Sequence, residues 1–275
     1  MKNKLLNFSS ILIASSINTS VLADEISGIH PLLSDSFTFS AGLADFNLDG
    51  TVRSGENGSD IHLQDDLGYG TSETLWSLGF KWRITEKSHV SLSYFNIQQE
   101  NQTTSSKTIN WGDLQFDAGT AIGSNFDLSV LRAFYGYSLY KTEQAEFGIG
   151  GGFHFMDLET QLAGQASINN ASKSFKVQTS DVSVPLPNLG IYGAYAFTSK
   201  WYVNAYADWL AVDIDEFDGY LVGGGINLQY QAFKNAGIGL GYQYFETNYD
   251  VDTSNWTGNI DYTYSGPSAF MTINF

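Results

Sequence analysis

Apolar and polar residues alternate with a period of two along most of the chain from Ser36 to Phe275. This periodicity is typical of β-strands, because successive side chains of a strand point to opposite faces of the sheet. In residues 201–211, for example, every odd position is Trp, Val or Ala, whereas the even positions are mixed. Ten such segments follow one another without a linker or a shift in composition, so we predict ten strands in one domain.

The connections between these segments alternate between short and long. In bacterial single-chain barrels the strand number is even, short turns face the periplasm and longer loops face the exterior. We therefore predict an all-β fold, a closed antiparallel transmembrane β-barrel of about ten strands with both termini in the periplasm. The short connections are predicted at 85–88, 142–145, 198–200 and 232–236, and the long ones at 47–70, 100–124 and 163–184, with two shorter loops at 213–218 and 249–257.

The composition agrees with a membrane barrel. Charged residues make up 15% of the chain, against about 25% in a typical soluble domain, and aromatic residues make up another 15%. No apolar run after the N-terminus reaches about 18 residues, which excludes a helical membrane protein. The absence of cysteine excludes disulfides and thiolate metal sites. A soluble β-sandwich would also alternate, but here the face opposite the apolar one carries Gly, Ser, Asn, Lys and Arg.

The first 23 residues have the features of a secretory signal peptide. Two lysines precede an apolar stretch at 5–21, and small residues stand where signal peptidase requires them for cleavage before Asp24. Removal of residues 1–23 leaves a barrel domain at 24–275. The net charge of the whole chain is −16 at pH 7, and loss of the two lysines makes it −18. A chain this anionic is not expected to bind nucleic acid.

The last seven residues, 269–275, resemble the terminal strand of Gram-negative outer-membrane β-barrels. Those strands end in an aromatic residue after alternating apolar positions, a signal that the outer-membrane assembly machinery reads. The resemblance implies an integral outer-membrane protein that contacts outer-membrane lipid and lipopolysaccharide, with Phe275 as its assembly signal.

Further short motifs resemble an uncharacterised proteobacterial outer-membrane barrel family over most of the mature chain. That resemblance implies a fold and a location, and it brings no activity with it. The motifs are Gln64-Asp65-Asp66-Leu67-Gly68, Phe126-Asp127, Tyr135-Gly136-Tyr137 and the stretch 262–267.

Residues 45–56 match the sequence pattern of a calcium-binding loop, with oxygen ligands at positions 1, 3, 5 and 12. Gly50 stands at position 6, where such loops turn sharply. The usual entering helix is missing, because 37–43 alternates as a strand. We therefore expect either an acidic hairpin end that turns at Gly50 or a calcium site as weak as those of extracellular modules, and no other cofactor. The four ligands would be Asp45, Asn47, Asp49 and Glu56.

Three ionisable residues are predicted to point into the barrel at one level. Arg132, His154 and Asp208 each lie roughly seven to nine residues from a predicted short turn. An unpaired charge there would be costly, so we expect a pair between Arg132 and Asp208 or a water-bridged network. The functional alternative is a selectivity constriction. Inward glycines either accommodate inward aromatic rings or leave a narrow cavity.

The known enzyme patterns of outer-membrane barrels are missing. Omptin-type proteases, which this strand number resembles, need an Asp-x-His pair, and the acidic run 213–216 has no His two residues on. Outer-membrane lipid hydrolases pair a His with a neighbouring Ser, and His89 and Ser91 have this spacing only beside a predicted short turn. We therefore predict a non-catalytic, surface-exposed structural or ligand-binding protein. The alternative is a narrow passive channel for small solutes.

Overall fold

The computed structural model describes residues 29–168, 174–214, 217–252 and 256–275, so the predicted signal peptide at 1–23 lies outside the described residues. Within the described ranges, one short helix precedes thirteen strands. The elements are α1 (Pro31–Ser34), β1 (Phe37–Ser54), β2 (Ile61–His62), β3 (Ser72–Arg83), β4 (Ser88–Thr104), β5 (Ile109–Trp111), β6 (Leu114–Phe116), β7 (Ala121–Lys141), β8 (Ala145–Ile168), β9 (Ser174–Ala196), β10 (Trp201–Ile214), β11 (Phe217–Phe233), β12 (Ala236–Asp252) and β13 (Thr257–Asn274).

Ten long strands form a closed antiparallel ring. Their order around it is β1, β3, β4, β7, β8, β9, β10, β11, β12 and β13. The ring closes where β1 pairs with β13, from Thr38 opposite Asn274 to Ser54 opposite Gly258. The predicted ten-stranded barrel is confirmed.

The two ends of the barrel differ in their connections. At one end, which we call the turn end, short turns join the strands and both ends of the ring meet near Phe37 and Phe275. At the opposite end, the hairpin end, the connections after β1 and β4 are long. The short turns cover residues 84–87, 142–144, 197–200 and 234–235.

Near the turn end, the strands have the alternation of a membrane barrel. On β1, the apolar side chains of Phe39 and Leu43 are exposed on the outside, whereas Ser40 and Gly42 face the lumen. All ten strands share this arrangement, and we call this part of the barrel the band half. Exposed aromatic residues border it on both sides, as expected at the two interfaces of a bilayer. Those toward the turn end are Trp82, Tyr135, Tyr137, Tyr140, Tyr195, Phe197, Trp201 and Phe275, and those toward the hairpin end include Trp76, Trp209, Tyr220, Tyr242 and Tyr244.

Nearer the hairpin end, most of these strands, such as β1, β4, β7, β8, β12 and β13, exchange their apolar and polar faces. On β1, the inward residues become Phe46, Leu48 and Val52, all buried, and the outward ones become polar. The exchange needs no change of register, because β12 and β13 pair without interruption from Ala236 to Asp252. The barrel therefore encloses an apolar core beyond the band, and we call this part the core half.

The face exchange corrects the predicted loops at 47–70, 100–124 and 163–184. Strand β1 continues to Ser54, β4 continues to Thr104 and β7 already begins at Ala121. The prediction was wrong because polar outward residues suggested loops. Period-two alternation in fact continues through these segments with its apolar residues on the inner face.

Two connections close the hairpin end with apolar side chains. The segment 55–71 pairs briefly with β1 through β2, and the segment 105–120 contains the small hairpin of β5 and β6. Both direct hydrophobic residues into the barrel, so the apolar core continues up to the hairpin end. These buried residues are Ile61, Leu63, Leu67, Tyr69, Ile109, Trp111, Leu114 and Phe116.

The ring opens along two seams in the core half. The pairing of β3 with β4 stops at Ser77 and Phe95, and the pairing of β9 with β10 stops at Leu189 and Trp209. Beyond these points the wall consists of two sheets, one made of β4, β7, β8 and β9 and the other of the remaining six long strands. We call these the β3/β4 seam and the β9/β10 seam.

The N-terminal segment closes the turn end of the lumen. Leu32 and Leu33 of α1 are buried together with His30, whose ring stacks on Tyr202 at a centroid distance of 5.1 Å. The Leu32 backbone N–H donates to His30 Nδ1 over 3.2 Å, and burial lowers the pKa of the imidazole. A neutral histidine therefore caps this helix. In the described part of the chain, no helix is long and apolar enough to cross a membrane.

Candidate functional site

A polar chamber of about 270 Å³ lies inside the band half. Its wall consists mainly of Ser, Thr, Asn, Gln and Tyr side chains that the strands direct inward. Leu32 of α1 lines it toward the turn end, and Phe46 and Phe95 line it toward the core half. The chamber is thus an internal space between the N-terminal segment and the apolar core.

Arg132 of β7 and Asp208 of β10 form an ion pair across the chamber. Arg132 donates from Nε to one carboxylate oxygen over 2.6 Å and from Nη2 to the other over 2.9 Å. The guanidinium carbon also lies 4.4 Å from the ring centre of Phe134 and 5.0 Å from that of Tyr206. Since the Asp208 side chain is only 1% exposed, this two-bond contact replaces the water that the carboxylate has lost.

His154 lies at the same level, directly opposite Arg132 in the ladder of β7 and β8. Its side chain is buried, and its ring centre lies 5.3 Å from that of Phe245 in the core half. The structure therefore brings all three predicted lumenal residues to one level, with His154 at the boundary between the chamber and the apolar core.

A second buried ion pair lies closer to the turn end. Arg83 of β3 donates to both carboxylate oxygens of Glu146 on β8, over 2.9 and 2.8 Å. Ser138 donates to the same carboxylate over 2.5 Å, and its hydroxyl lies 3.0 Å from that of Tyr192. The sequence reading missed this pair. The alternation of the strands could have indicated it. Trp82 and Phe147 point outward, so their neighbours Arg83 and Glu146 point into the lumen.

Lys81 adds a further positive charge to the lumen, where Glu146 lines a neighbouring cavity with it without forming a salt bridge to it. Lys81 lines the chamber together with Arg132, while the two lumenal carboxylates are each held by an arginine. Among the described residues, no salt bridge to Lys81 is present. The interior of the band half therefore carries a net positive charge, in contrast to the anionic chain as a whole.

Inward glycines make room for inward aromatic rings. A Cβ at Gly150 would lie 2.6 Å from Cζ of Phe134, and one at Gly225 would lie 2.9 Å from the Tyr206 ring. Small residues thus pack against large ones, as expected in a narrow barrel. The glycines therefore accommodate the aromatic rings, and a cavity also remains beside the rings, so the two alternatives expected from the sequence occur together.

Comparison with known proteins bears on the fold. No protein-family model matches the chain, and no curated protein matches it. The outer-membrane protease OmpT from Escherichia coli matches with a TM-score of 0.55 at 10% identity, over 88% of this chain and 99% of OmpT. The fold is that of an outer-membrane β-barrel. The P. putida toluene transporter TodX (TM-score 0.39, 11% identity, 95% of both chains) and Ail of Yersinia pestis (0.30, 10%, 86% and 99%) also match.

The resemblance to Gram-negative outer-membrane barrels is confirmed at the level of fold, and it supports an outer-membrane location. In this outer-membrane barrel, Phe275 lies on the outer face and is 61% exposed. Its N–H donates to the Phe37 carbonyl over 2.9 Å, and the Phe37 N–H donates to the Phe275 carbonyl over 3.0 Å. The last residue therefore closes the ladder with its backbone and leaves its aromatic ring on the lipid side.

The structure forms neither alternative for residues 45–56, the acidic hairpin end that turns at Gly50 or the calcium-binding loop. Asp45, Asn47 and Asp49 alternate on the outer face of β1, where the ladder with β13 holds the chain extended. Gly50 packs inward against Tyr262 instead of forming a turn, and Glu56 follows only after the strand has ended. The described residues contain no group of three or more His, Cys, Asp or Glu that could hold a metal ion. The face exchange explains the error, because outward oxygen ligands at positions 1, 3 and 5 also fit a strand.

Proposed function

We propose that this outer-membrane barrel has no open pore and no catalytic activity, and that it serves at the cell surface as a structural or ligand-binding protein. One observation carries the proposal, namely that four aromatic rings cross the lumen at the base of the core half. Tyr264 lies 5.0 Å from Phe46, 5.1 Å from Phe95 and 4.9 Å from Phe245, measured between ring centres. We call these four rings the aromatic floor.

The core above the aromatic floor supports a closed barrel. Ile97, Leu128, Leu158 and Leu221 come from four different strands and are all buried. Interiors of this kind are close-packed and exclude water, and an ion would have to shed its hydration shell to enter. A polar chamber that ends at such a core is unsuited to conduction.

The positions of the four histidines support the absence of catalysis. His30 is buried against Tyr202, and His89 and His154 are buried inside the lumen. His62 alone is exposed near the hairpin end, where its Nδ1 lies 2.9 Å from the Thr51 hydroxyl. The neighbouring Asp66 accepts from the His62 backbone N–H, and among the described residues no carboxylate is hydrogen-bonded to the His62 ring. A hydroxyl and an imidazole alone fall short of the arrangement that activates a nucleophile.

The proposal also assigns an orientation and partners. The short turns and both termini lie in the periplasm, and the core half extends outside the cell, as in bacterial single-chain barrels. The apolar outer face of the band half contacts outer-membrane lipid and lipopolysaccharide. The assembly machinery reads the terminal strand that ends at Phe275.

Planar-bilayer recording of the full chain tests the proposal. We expect no steady conductance from the wild type, and none from a variant that lacks residues 29–36, because the core half still closes the lumen after the N-terminal segment is removed. Heat-modifiable migration of the same samples on gels checks that each variant has folded into a barrel.

A large wild-type conductance whose ion selectivity reverses when Arg132 is substituted would overturn the proposal. It would identify the chain as a passive channel with its selectivity set at the level of Arg132 and Asp208.

A further inference from the structure

Lys81 of β3 lies where two cavities of the lumen meet. It lines the polar chamber, and it also lines the neighbouring cavity of about 130 Å³ that Glu146 lines. In the ladders of the band half, Lys81 stands opposite Thr38 of β1 and opposite Ser91 of β4. Because Cβ atoms of directly opposite residues lie about 5 Å apart, a group bound by the Lys81 ammonium is within reach of both hydroxyls.

Two more hydroxyls follow at the next inward positions of the adjacent strands. Ser40 of β1 and Ser93 of β4 stand on either side of Gly79 of β3. A Cβ at Gly79 would collide with the Ser40 hydroxyl, so glycine is the residue that allows this hydroxyl to lie over β3. We call the lysine and the four hydroxyl residues that line the chamber beside it the hydroxyl patch, which consists of Thr38, Ser40, Lys81, Ser91 and Ser93.

Buried polar atoms without a partner lie in the wall next to the hydroxyl patch. Thr272 of β13 stands opposite Ser40 and is 3% exposed, and its hydroxyl has no hydrogen-bond partner among the described residues. The hydroxyl of Ser268 and the side-chain carbonyl of Gln229, in residues that also line the chamber, lack a partner there as well. Since buried polar groups are nearly always hydrogen-bonded, these atoms indicate a polar occupant that both donates and accepts.

The charges of the lumen define the sign of that occupant. Arg83 is paired with Glu146 and Arg132 is paired with Asp208, so each pair is neutral. Lys81 adds one positive charge to the two pairs. Within the part of the band half that the structure describes, a bound molecule with a single negative charge compensates this excess, whereas a cation would increase it.

The size and closure of the chamber limit the occupant to a small molecule. Its volume of about 270 Å³ corresponds to about nine water molecules. Phe46 and Phe95 line it toward the core half, and Leu32 of α1 lines it toward the turn end. Because the core half is closed, a ligand enters and leaves past the N-terminal segment.

We propose that the hydroxyl patch binds a small sugar acid, a molecule with one carboxylate and several hydroxyl groups. The Lys81 ammonium and the hydroxyls of Thr38 and Ser91 donate to the carboxylate. Ser40 and Ser93, which can both donate and accept, bind hydroxyl groups of the ligand. The inference goes beyond the proposed function and rests on its closed core half, because an open lumen would make the chamber a passage.

Isothermal titration calorimetry of the full chain in lipid nanodiscs tests the inference, with empty nanodiscs as the blank. D-gluconate is the probe, sorbitol is the neutral polyol of the same length, and acetate is an anion without hydroxyl groups. We expect saturable binding of gluconate that weakens as salt rises. Sorbitol and acetate should each bind at least about tenfold more weakly, because each lacks one half of the chemistry that the hydroxyl patch recognises.

Two lysine variants test the position of the site. Lys81→Met removes the charge from the hydroxyl patch and should weaken gluconate binding at least about tenfold. Lys87→Met removes an equal charge from the exposed turn 84–87 and should leave the affinity unchanged. Heat-modifiable migration on gels checks that both variants form the barrel. The variant that lacks residues 29–36 keeps the hydroxyl patch and should bind gluconate with the same preference over sorbitol and acetate.

Each outcome decides for or against the inference. Absence of saturable gluconate binding to both the wild type and the shortened variant would overturn it, and so would equal affinities of the wild type and Lys81→Met. Sorbitol or acetate binding as tightly as gluconate would refute a sugar acid as the ligand. Binding to the shortened variant alone would support the site and identify the N-terminal segment as its barrier. A non-conducting barrel that binds no gluconate refutes this inference alone, whereas a conducting barrel refutes the proposed function.

Discussion

Asp208 receives two hydrogen bonds from one arginine inside a barrel wall that faces lipid. The side chains of Asp208 and Arg132 are 1% and 14% exposed, so neither charge has much access to water. Each buried charge is compensated by the other. The pair adds little net stability, but removal of one partner would be strongly destabilising, because it would leave the other charge buried and unpaired.

Removal of one partner should reveal this dependence. We expect Asp208→Ala to lower the free energy of unfolding by about 3 to 5 kcal/mol, because Arg132 is left buried and unpaired. Asp208→Ala combined with Arg132→Met should recover part of that loss, since no charge remains. Urea titrations in detergent micelles measure both effects. If the double variant were no more stable than the single one, the penalty of the unpaired arginine would not be the cause.

The sequence was sufficient to place single residues on a face and insufficient to pair them across the lumen. Period-two alternation correctly predicts that Arg132 and Asp208 point inward. The same rule places Arg83 and Glu146 inside. Their strands, β3 and β8, are not neighbours in the ring, so no spacing along the chain could have indicated that contact.

At the scale of one element, β7 contains two chemically opposite halves. Toward the turn end its outward residues include Leu131 and Tyr135, and toward the hairpin end its inward residues include Phe126 and Leu128. The sequence pattern predicted the strand and its outward face in the band half. It did not predict the extension to Ala121. In that segment the residues still alternate, but the apolar ones face inward, so the polar outward face suggested a loop.

Substitutions along β7 should therefore have costs that depend on the half and on the face. Ala133→Arg places a charge on the lipid side of the band half and should destabilise the barrel by about 2 to 4 kcal/mol. Asn125→Arg makes a comparable change on the outside of the core half, where water is present, and should cost less than about 0.5 kcal/mol. Phe126→Ala, next to it but inward, should cost about 3 to 5 kcal/mol.

Urea titrations of the three variants under one condition provide the comparison. An equal cost for Ala133→Arg and Asn125→Arg would contradict the assignment of the boundary between the two halves, because both positions would then share one solvent.

At the scale of the whole molecule, the ring closes at Phe275, the residue that we propose as the assembly signal. The backbone of Phe275 joins β13 to the beginning of β1, while its side chain is exposed on the outer face. We therefore expect the aromatic ring to matter more for assembly than for the stability of the finished barrel.

Phe275→Ala should reduce insertion into the outer membrane while leaving the stability of refolded protein nearly unchanged. The variant keeps both backbone hydrogen bonds to Phe37 and removes only the ring. Quantification of the protein in outer-membrane fractions, beside urea titration of refolded samples, separates the two effects. Phe37→Ala removes a neighbouring exposed ring and serves as the control. Insertion of Phe275→Ala at the wild-type level would refute the assembly role.

The exchange of faces between the two halves also makes misaligned pairing costly at two places at once. A slip of β12 by one residue would turn Leu240 and Tyr242 into the lumen and, in the same movement, expose Phe245 and Val251 to water. A slip of two residues toward the turn end would restore the faces but draw the carboxylate of Glu246 into lipid. A shifted ladder would form nearly as many backbone hydrogen bonds as the correct one, so these bonds alone do not select the register. The position of the lipid–water border along each strand therefore disfavours misaligned strand pairing during folding, because a shifted strand would place residues in the wrong solvent.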